Sequence, residues 1–374
     1  MQSPLDLFIL AAEPSGDLLG AELVQKLLEA RRDLRIAAVA GPHLRALPVE
    51  PLFCMEELQV MGFIDILSSL PSLWRLFRKI RRTILDLQPR AVLCVDYPGF
   101  NLRLEASLRK AGYSGKLIHY VSPTVWAWGK KRIPKMAKTL DLLLTLFPFE
   151  KASFASTSLR VEYVGHPLSS KISLPQCDEE GSMLAIFPGS RRKEILRTFP
   201  AQLEAAARLC REDPDCAIGI SLASWDLAPL LIALTQQKEA LPITFFAPER
   251  KEELVRSAKV ALATSGTITL ELALHQLPSL VTYGISSADL FLAQKVFKIH
   301  LPHYCIVNIL VAEELFPEFF GPNLTQDCLF SQLEELWRDK EKRKRIRKGC
   351  HSLRDVLQTR DSATEAAGYL LKII

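Results

Sequence analysis

Short apolar runs alternate with longer amphipathic segments along almost the whole chain. The apolar runs predict strands at residues 5–12, 36–40, 91–95, 116–121, 141–145 and 160–164, and then at 183–187, 216–221, 243–246, 259–263 and 278–283. Stretches with the apolar spacing of a helix lie between most of them, for example 20–31 and 73–87. Strands that alternate with helices in this way predict parallel sheets covered by helices on both faces.

A polar stretch at residues 165–181 interrupts this alternation. It contains Pro167, Pro175 and three consecutive acidic residues at 178–180. Proline and charge in such a stretch are typical of a linker, which we place at 166–181. A chain of 374 residues is long enough for two separate cores. The predicted fold class is α/β, with two doubly wound Rossmann-like domains at 1–165 and 182–349.

Composition narrows the classes of function. The formal net charge of +5 is too small for a dedicated nucleic-acid binder, although it favours contact with anionic lipid or phosphate. No apolar run approaches the ~18 residues that span a bilayer, so membrane contact is expected to be peripheral. The first apolar run lacks preceding basic residues, which favours a strand over a signal peptide. The eight cysteines are scattered and form neither C-x-x-C pairs nor a cluster with zinc spacing. This pattern predicts a protein of the reducing cytoplasm without a structural metal.

Two glycine-containing turns in the second half each follow a predicted strand and open a helix. They are P-G-S-R at 188–191 and T-S-G-T at 264–267. Ligands of open α/β sheets bind at the carboxyl ends of strands, where helix N-termini present N–H groups to anions. The first turn alone fits an ordinary strand-to-helix turn equally well, and the second alone fits a capping Thr with a solvated Glu slightly better. Two such turns in one domain nevertheless predict a nucleotide-diphosphate site. Arg191 can make a charge-assisted contact to phosphate. Glu271 lies one helical turn after Thr267, where its carboxylate can accept hydrogen bonds from ribose hydroxyls.

Other nucleotide and metal motifs are absent from the sequence. Neither turn matches G-x-G-x-x-G or G-x-x-x-x-G-K-[ST], which argues against a Rossmann dehydrogenase and a P-loop NTPase. The D-x-D string at 213–215 resembles that of metal-dependent transferases. It precedes a predicted strand, at the end of the sheet opposite to ligands, and we interpret it as a turn.

Polar and aromatic residues follow three strands of the first half. Asp96 is the best candidate for a general base, because partial burial beside an apolar run raises the pKa of a carboxyl group. An Asx-turn or a helix cap accounts for Asp96 equally well. Trp126 and Trp128 can stack on a sugar or an acyl chain, although such aromatics more often pack in a core. Residues 60–82 combine apolar and basic positions, which suits either a membrane surface or a core helix with a solvated basic face.

The strings themselves resemble lipid A disaccharide synthases. The resemblance is carried by E-P-S-G-D at 13–17, D-Y-P-G-F-N at 96–101, H-Y-V-S-P-T-V-W-A-W at 119–128, P-F-E-K at 148–151, F-P-G-S-R at 187–191 and S-G-T-I-T-L-E at 265–271. It covers nearly the whole chain in order. The S-P-x-V-W-A-W string is the most specific, whereas many transferases share the phosphate turns.

The resemblance implies a GT-B type glycosyltransferase with its site in an interdomain cleft. Residues 1–165 would bind the acceptor and lipid, and residues 182–349 would bind the UDP-sugar. The C-terminal segment 350–374, with its last helix at about 362–374, would pack back on the first domain. The implied reaction joins UDP-2,3-diacylglucosamine to 2,3-diacylglucosamine 1-phosphate with inversion. The implied reaction needs no metal or other cofactor, and no nucleic acid takes part. The enzyme would be bound peripherally to the cytoplasmic face of the inner membrane.

The resemblance also implies roles for individual residues. Asp96 and Arg191 would be catalytic. The donor side would comprise Gly189, Ser190, Ser265, Gly266, Thr267, Glu271 and Asn308. The acceptor and lipid side would comprise Glu13, Ser15, Asp17, Ser122, Trp126, Trp128, Met61 and Phe63. The chain departs from the family at 312–314, where Ala-Glu-Glu replaces Gly-Arg-Glu and a carboxylate stands in place of a cation at Glu313.

Two other hypotheses stay open at the level of sequence. A UDP-sugar 2-epimerase uses a similar pair of Rossmann-like domains, but it needs no surface for acyl chains, so the 60–82 segment and the tryptophan pair count against it. A nucleotide- or lipid-binding regulator without activity is the second. The presence of both Asp96 and Arg191 argues against it, because a decayed site would tolerate their loss.

Overall fold

The computed structural model describes residues 5–58, 63–173, 181–236, 241–291 and 301–374, without the side chains of 63–70 and 287–288. The chain divides into two compact units. The first comprises Met1–Ser170 with Thr359–Ile374, and the second comprises Lys171–Gln358. Each unit contains its own parallel sheet.

The first sheet has seven strands, in the order β3-β2-β1-β4-β5-β6-β7. They are β1 Leu7–Ala11, β2 Ile36–Ala40, β3 Glu50–Cys54, β4 Ala91–Val95, β5 Lys116–Tyr120, β6 Leu142–Thr145 and β7 Arg160–Tyr163. The second sheet has six strands, in the order β10-β9-β8-β11-β12-β13. They are β8 Met183–Phe187, β9 Ala217–Ser221, β10 Ile243–Phe246, β11 Ala258–Thr264, β12 Ser279–Tyr283 and β13 Glu318–Phe320. Both sheets therefore have doubly wound order, as the alternation of elements predicts.

Helices connect the strands. In chain order they are α1 Pro14–Ala30, α2 Pro42–Arg45, α3 Phe63–Leu87, α4 Pro98–Lys110, α5 Ile133–Thr139, α6 Pro167–Lys171, α7 Arg192–Glu212, α8 Ala228–Thr235, α9 Lys251–Ser257, α10 Thr267–Leu274, α11 Ser287–Phe291, α12 Ile306–Val311, α13 Gln326–Arg338, α14 Lys340–Leu357 and α15 Ser362–Leu370. In the described part of the chain, no helix is both long enough and apolar enough to cross a membrane.

Helices cover the first sheet on both faces. Successive side chains of β1 point to opposite sides, so Phe8 packs in one buried cluster with Ile80 of α3. Ile9 packs in the other with Leu27 of α1 and Leu370 of α15. All five residues of β1 are consequently buried, as expected of a central strand in a parallel sheet.

The chain returns to the first unit later than the sequence predicts. Residues 350–357 belong to α14, which packs on α10 and α12 in the second unit, with Cys350 and Leu353 buried. The return begins at Thr359 and continues as α15, which packs on α1. Arg31 at the end of α1 donates a hydrogen bond to the carbonyl oxygen of Ile374, at 3.1 Å. The return therefore begins at 359 and not at 350, and α15 lies within the 362–374 expected for the last helix.

Candidate functional site

The two glycine-containing turns of the second unit lie side by side. They follow β8 and β11, which are neighbouring parallel strands. The hydroxyl of Thr264 donates to the carbonyl oxygen of Pro188 at 2.9 Å. Gly189 has a φ of +108°, and a Cβ added there would lie 3.4 Å from Cγ2 of Thr264. The positive φ favours glycine at this position, whereas a Cβ at this distance would make an ordinary contact.

Each turn leads into a helix whose first N–H groups are not capped by the side chain of the N-cap residue. Arg191 is the N-cap of α7 and Gly266 is the N-cap of α10. Ser190 is exposed, and a Cβ on Gly266 would meet nothing within 4 Å. Two helix N-termini therefore present partial positive charge at one edge of the sheet, with open space beside Gly266. This arrangement is suited to an anion such as a pyrophosphate.

Charged side chains flank these turns. The Arg191 guanidinium lies 2.8 Å from Oε1 of Glu194, and its side chain is 79% exposed. Solvent screens an ion pair whose cation is this exposed, so the guanidinium is accessible to a phosphate. Glu271 is held by Lys251, whose Nζ lies 2.7 Å from Oε2. Ser265 and Thr267 occupy the second turn, where the Ser265 N–H donates to the Thr282 carbonyl.

Asn308 has a structural role in this fold. Its amide nitrogen donates to the Phe316 carbonyl at 2.7 Å and to Oε1 of Glu318 at 2.6 Å. Its amide oxygen accepts from the Phe316 N–H at 2.9 Å, and the side chain is fully buried. These bonds fix the connection between α12 and β13. The donor contact of this side chain stays a prediction, while both ends of its amide are engaged within the fold.

The carboxyl edge of the first sheet carries strained backbone. Asp96 and Tyr97, directly after β4, have φ values of +50° and +48°, and Val121, directly after β5, has +77°. Such conformations cost roughly 1–3 kcal/mol each in residues other than glycine, and they cluster at functional sites. The Asp96 N–H donates to the Tyr120 carbonyl at 2.8 Å, and Asn101 donates to the Asp96 carbonyl at 2.7 Å. Asp96 is therefore held rigidly at this edge.

The environment of Asp96 suits a general base. Burial raises the pKa of its carboxyl group, while a hydrogen bond from the Tyr97 backbone and the charge of His119 work in the opposite direction. Nδ1 of His119 lies 2.7 Å from Oε1 of Glu105, and both side chains are buried. His119 lies within one of the family strings, but the sequence alone gave neither it nor Glu105 a role.

Asp17 stabilises a loop of the fold. Its carboxylate is buried and accepts hydrogen bonds from the N–H groups of Gly41 (2.8 Å), His43 (2.7 Å) and Leu44 (3.3 Å), at the start of α2. Both oxygens are engaged in this way. The place of Asp17 on the acceptor side stays a prediction, while its hydrogen bonds show that the carboxylate supports the loop at the start of α2.

The remaining predicted acceptor residues lie at or near the carboxyl edge of the first sheet. Glu13 is the N-cap of α1 and Ser15 is exposed one residue into that helix. Ser122 is buried, and its hydroxyl contacts the Pro123 carbonyl at 3.2 Å. The roles of these three residues stay predictions.

The tryptophan pair is only partly buried. Trp126 meets the ring of Phe149 edge to face, with 5.2 Å between centroids. Trp128 is 40% exposed and lies under the Arg132 guanidinium, 4.7 Å from the ring centroid. Met61 lies outside the described residues. Phe63 begins α3, but its side chain also lies outside the description.

Two buried titratable groups at this edge were not singled out from the sequence as site residues. Burial raises the pKa of Glu150 to about 8, even though the N–H of Phe147 donates to its carboxylate. Burial lowers the pKa of His166 to about 4, and its ring stacks on Phe147. Glu150 belongs to the P-F-E-K string, so the motif was a signal for it. For His166 the signal was its position just after β7.

The D-x-D string at 213–215 has a structural role. The D-x-D string forms a turn before β9, in which Oδ1 of Asp213 accepts from the Asp215 N–H and Oδ2 accepts from Trp337 at 2.7 Å. The interpretation of this string as a turn is confirmed. Across the described ranges, no three His, Cys, Asp or Glu side chains come together as a metal site would require.

Known proteins are similar to this chain over nearly its whole length. A model of the family described as Lipid-A-disaccharide synthetase matches residues 7–374. The chain belongs to this family. Lipid-A-disaccharide synthase of Chlamydia trachomatis serovar D is 39% identical over 84% of the chain and 53% of its own length. The synthase of Chromobacterium violaceum is 33% identical over 99% of the chain and 97% of its own length.

The chain spans about half the length of the chlamydial synthases that it matches. Solved structures resemble the fold at much lower identity. The UDP-GlcNAc 2-epimerase of Neisseria meningitidis aligns with a TM-score of 0.59 at 11% identity, covering 98% of each chain. The calicheamicin glycosyltransferase CalG4 aligns with 0.58 at 15% identity, covering 100% of each. The GT-B type of fold expected from the motifs is thereby confirmed, whereas likeness at this identity says nothing about the reaction.

Proposed function

We propose that the chain is an inverting glycosyltransferase of lipid A biosynthesis. It joins UDP-2,3-diacylglucosamine to 2,3-diacylglucosamine 1-phosphate and forms a β-1,6-linked disaccharide 1-phosphate and UDP. The observation that carries the proposal is the match to the lipid-A-disaccharide synthetase family over residues 7–374, which includes Asp96 and both glycine turns. The carboxyl-edge geometry of Asp96 supports it independently of the comparison.

The second unit binds the donor. The turns at Gly189 and Gly266 hold the pyrophosphate of UDP at the N-termini of α7 and α10. Arg191 exchanges Glu194 for a phosphate oxygen. The Glu271 carboxylate accepts a hydrogen bond from a ribose hydroxyl, and Lys251 holds this carboxylate in place. These groups stabilise the negative charge that builds on UDP as it leaves.

The first unit supplies the base. Asp96 removes the proton of the acceptor 6-hydroxyl, and the resulting oxygen attacks the anomeric carbon of the donor as the bond to UDP breaks. Attack from the face opposite the leaving group inverts the configuration. The raised pKa of Asp96 makes its carboxylate a better proton acceptor than an exposed aspartate.

The exposed face of α3 contacts the membrane that carries both lipids, at the cytoplasmic side of the inner membrane. Trp74 is 55% exposed, and Arg75 and Arg78 are exposed beside it, while Leu76 and Ile80 pack in the core. The Arg78 guanidinium lies 5.5 Å from the centre of the Trp74 ring. An aromatic ring flanked by cations is suited to the interface of an anionic bilayer.

Product analysis tests this proposal. The purified chain is incubated with both lipids in detergent, and the products are identified by mass spectrometry and by the proton NMR coupling of the new linkage. A β-linked disaccharide with one UDP per linkage is expected. Release of UDP without disaccharide would contradict the acceptor, and conversion of a UDP-sugar to its 2-epimer would support the epimerase hypothesis in its place.

A further inference from the structure

A cationic cavity lies between α4 and α5 in the first unit. Its volume is about 170 Å³, and its lining includes Pro98, Gly99, Arg103, Glu105, Arg132 and Lys135. We propose that this cavity binds the phosphate monoester of the acceptor lipid, with Arg103, Arg132 and Lys135 as its ligands. The inference rests on the proposed function and adds to it the residues that recognise the phosphate.

Carboxylates do not neutralise the three cations within the part of the chain that the structure describes. Arg109 on the same helix pairs with Asp141, but within the described ranges no ion pair is formed by Arg103, Arg132 or Lys135. Arg103 and Lys135 are exposed, whereas Arg132 is half-buried and lies over the Trp128 ring. Cations gathered at one cavity repel each other, and a phosphate dianion bound there would attract all three of them and offset this repulsion.

The start of α4 adds to the positive potential. Pro98 and Gly99 are the first residues of this helix of 13 residues, and its N-cap, Tyr97, makes no side-chain cap. Gly99 is exposed, and a Cβ added to it would meet nothing within 4 Å. A ligand can therefore approach the backbone closely at the helix end that favours negative charge.

Glu105 contributes a carboxylate to the lining of the cavity. Its side chain is only 1% exposed, and Oε1 is engaged by Nδ1 of the buried His119 at 2.7 Å. Glu105 is thus buried, and its Oε2 has no hydrogen-bond partner in the described part of the chain, whereas Arg103 and Lys135 are exposed. The charge that an entering ligand meets first is cationic.

The position of the cavity fits the acceptor. Pro98 and Gly99 are two and three residues beyond Asp96, the proposed base. An acceptor sugar held by its 1-phosphate in the cavity would have its ring near the strained edge where Asp96 lies. A volume of about 170 Å³ holds several waters at roughly 30 Å³ each, so a phosphate can replace them.

The test compares two acceptors that differ only in the phosphate. The ratio of kcat/KM for 2,3-diacylglucosamine 1-phosphate to that for 2,3-diacylglucosamine is measured in the wild type, Arg103→Gln, Lys135→Gln and Lys138→Gln. Lys138 is a cation of α5 outside the cavity lining and serves as the matched control. We expect Arg103→Gln and Lys135→Gln each to lower the ratio about tenfold, as for the loss of a charged hydrogen bond, and Lys138→Gln to leave it unchanged. Unchanged ratios in the two cavity variants, or an equal fall in the control, would overturn the inference.

Two further measurements distinguish phosphate recognition from a failure of the proposed function and from membrane binding. Titration calorimetry with glucosamine 1-phosphate and with glucosamine reports binding without turnover. If the wild type forms no disaccharide, the proposed function fails, and phosphate-dependent binding that Arg103→Gln removes would still support the cavity. Equal binding of the two sugars would overturn it. If the cavity variants lose binding to phosphatidylglycerol vesicles but keep the acceptor ratio, the cations serve the membrane surface and the inference is wrong.

Discussion

Burial determines the protonation of three polar side chains at the carboxyl edge of the first sheet. The pKa of Asp96 is raised, that of Glu150 is raised to about 8, and that of His166 is lowered to about 4. In each case burial disfavours the charged form and is the largest cause. These residues have neutral forms at pH values where exposed side chains of the same type are charged.

The pH dependence of turnover should report Asp96. As a base, Asp96 must be deprotonated, so kcat/KM should rise with pH through a value above that of an exposed aspartate. Asp96→Asn should lower kcat/KM by about 10²–10⁴-fold and should remove this limb of the profile. A rate profile measured with both lipids from about pH 4 to about pH 9 checks both points. The same acid limb in Asp96→Asn would assign it to another group.

The stability of the first unit should depend on Glu150. The folded-state pKa lies above the ordinary value of 4.5, so the protonated form is favoured by folding, and stability should fall as pH rises from about 4.5 to about 8. Glu150→Gln should remove this fall and should be the more stable protein at about pH 9, by on the order of a few kcal/mol. Urea unfolding at about pH 6.5 and about pH 9 measures it. His166 is present in both proteins, so it does not contribute to the difference between them. Parallel curves for the two proteins would contradict the account.

At the scale of the element, the sequence predicts the centres of both sheets better than their edges. Strands such as β1 and β4 are buried on both faces, so they read as continuous apolar runs. The edge strand β3 contains Pro51 and buries only Phe53, and the edge strand β13 has three residues. Neither carries a pattern that distinguishes it from a loop, which is why both were missed.

Site residues divide in a similar way. The glycine turns and Asp96 could be placed from the sequence because position after a strand determines where they lie. The hydrogen bonds of Asp17 and Asn308 could not be predicted from the sequence. Their polar groups bond to backbone far away in sequence or across a loop, such as Gly41 and Phe316, and only the folded chain reveals these partners.

Alanine should destabilise the protein at Gly189, where the backbone is strained, and not at Gly266, where the backbone is extended and the added Cβ meets open space. Gly189→Ala places a Cβ at a φ of +108° and 3.4 Å from Thr264, so we expect a loss of about 1–3 kcal/mol in the free energy of unfolding and weaker binding of UDP. Gly266→Ala is the matched control, since its backbone is extended and its Cβ would meet nothing. Urea unfolding and calorimetry with UDP measure the two effects. Equal losses of stability in the two variants would contradict the role given to Gly189.

At the scale of the whole molecule, the C-terminal return should contribute strongly to the first unit. Leu370 of α15 is fully buried in the cluster that includes Leu27 of α1. Leu370→Ala should lower the free energy of unfolding by about 2–5 kcal/mol, because it leaves a cavity. Glu365→Ala, on the exposed side of the same helix, should change it little. Urea unfolding of the full chain checks both, and similar losses in the two variants would mean that α15 is not packed as described.

The whole fold does not determine the reaction. An epimerase and a glycosyltransferase align with the chain at nearly equal TM-scores, 0.59 and 0.58. Family membership points to glycosyl transfer, and we propose Asp96 as the base of that reaction.

The most direct test measures disaccharide formation by the wild type and Asp96→Asn side by side, in detergent with EDTA. UDP binding is checked in both proteins by calorimetry, so that a loss of rate is not a loss of fold. The account predicts disaccharide and UDP in equal amounts from the wild type, and normal UDP binding with turnover lowered roughly a hundredfold or more in the variant. Near-normal turnover by Asp96→Asn, or no disaccharide from a wild type that binds UDP, would contradict it.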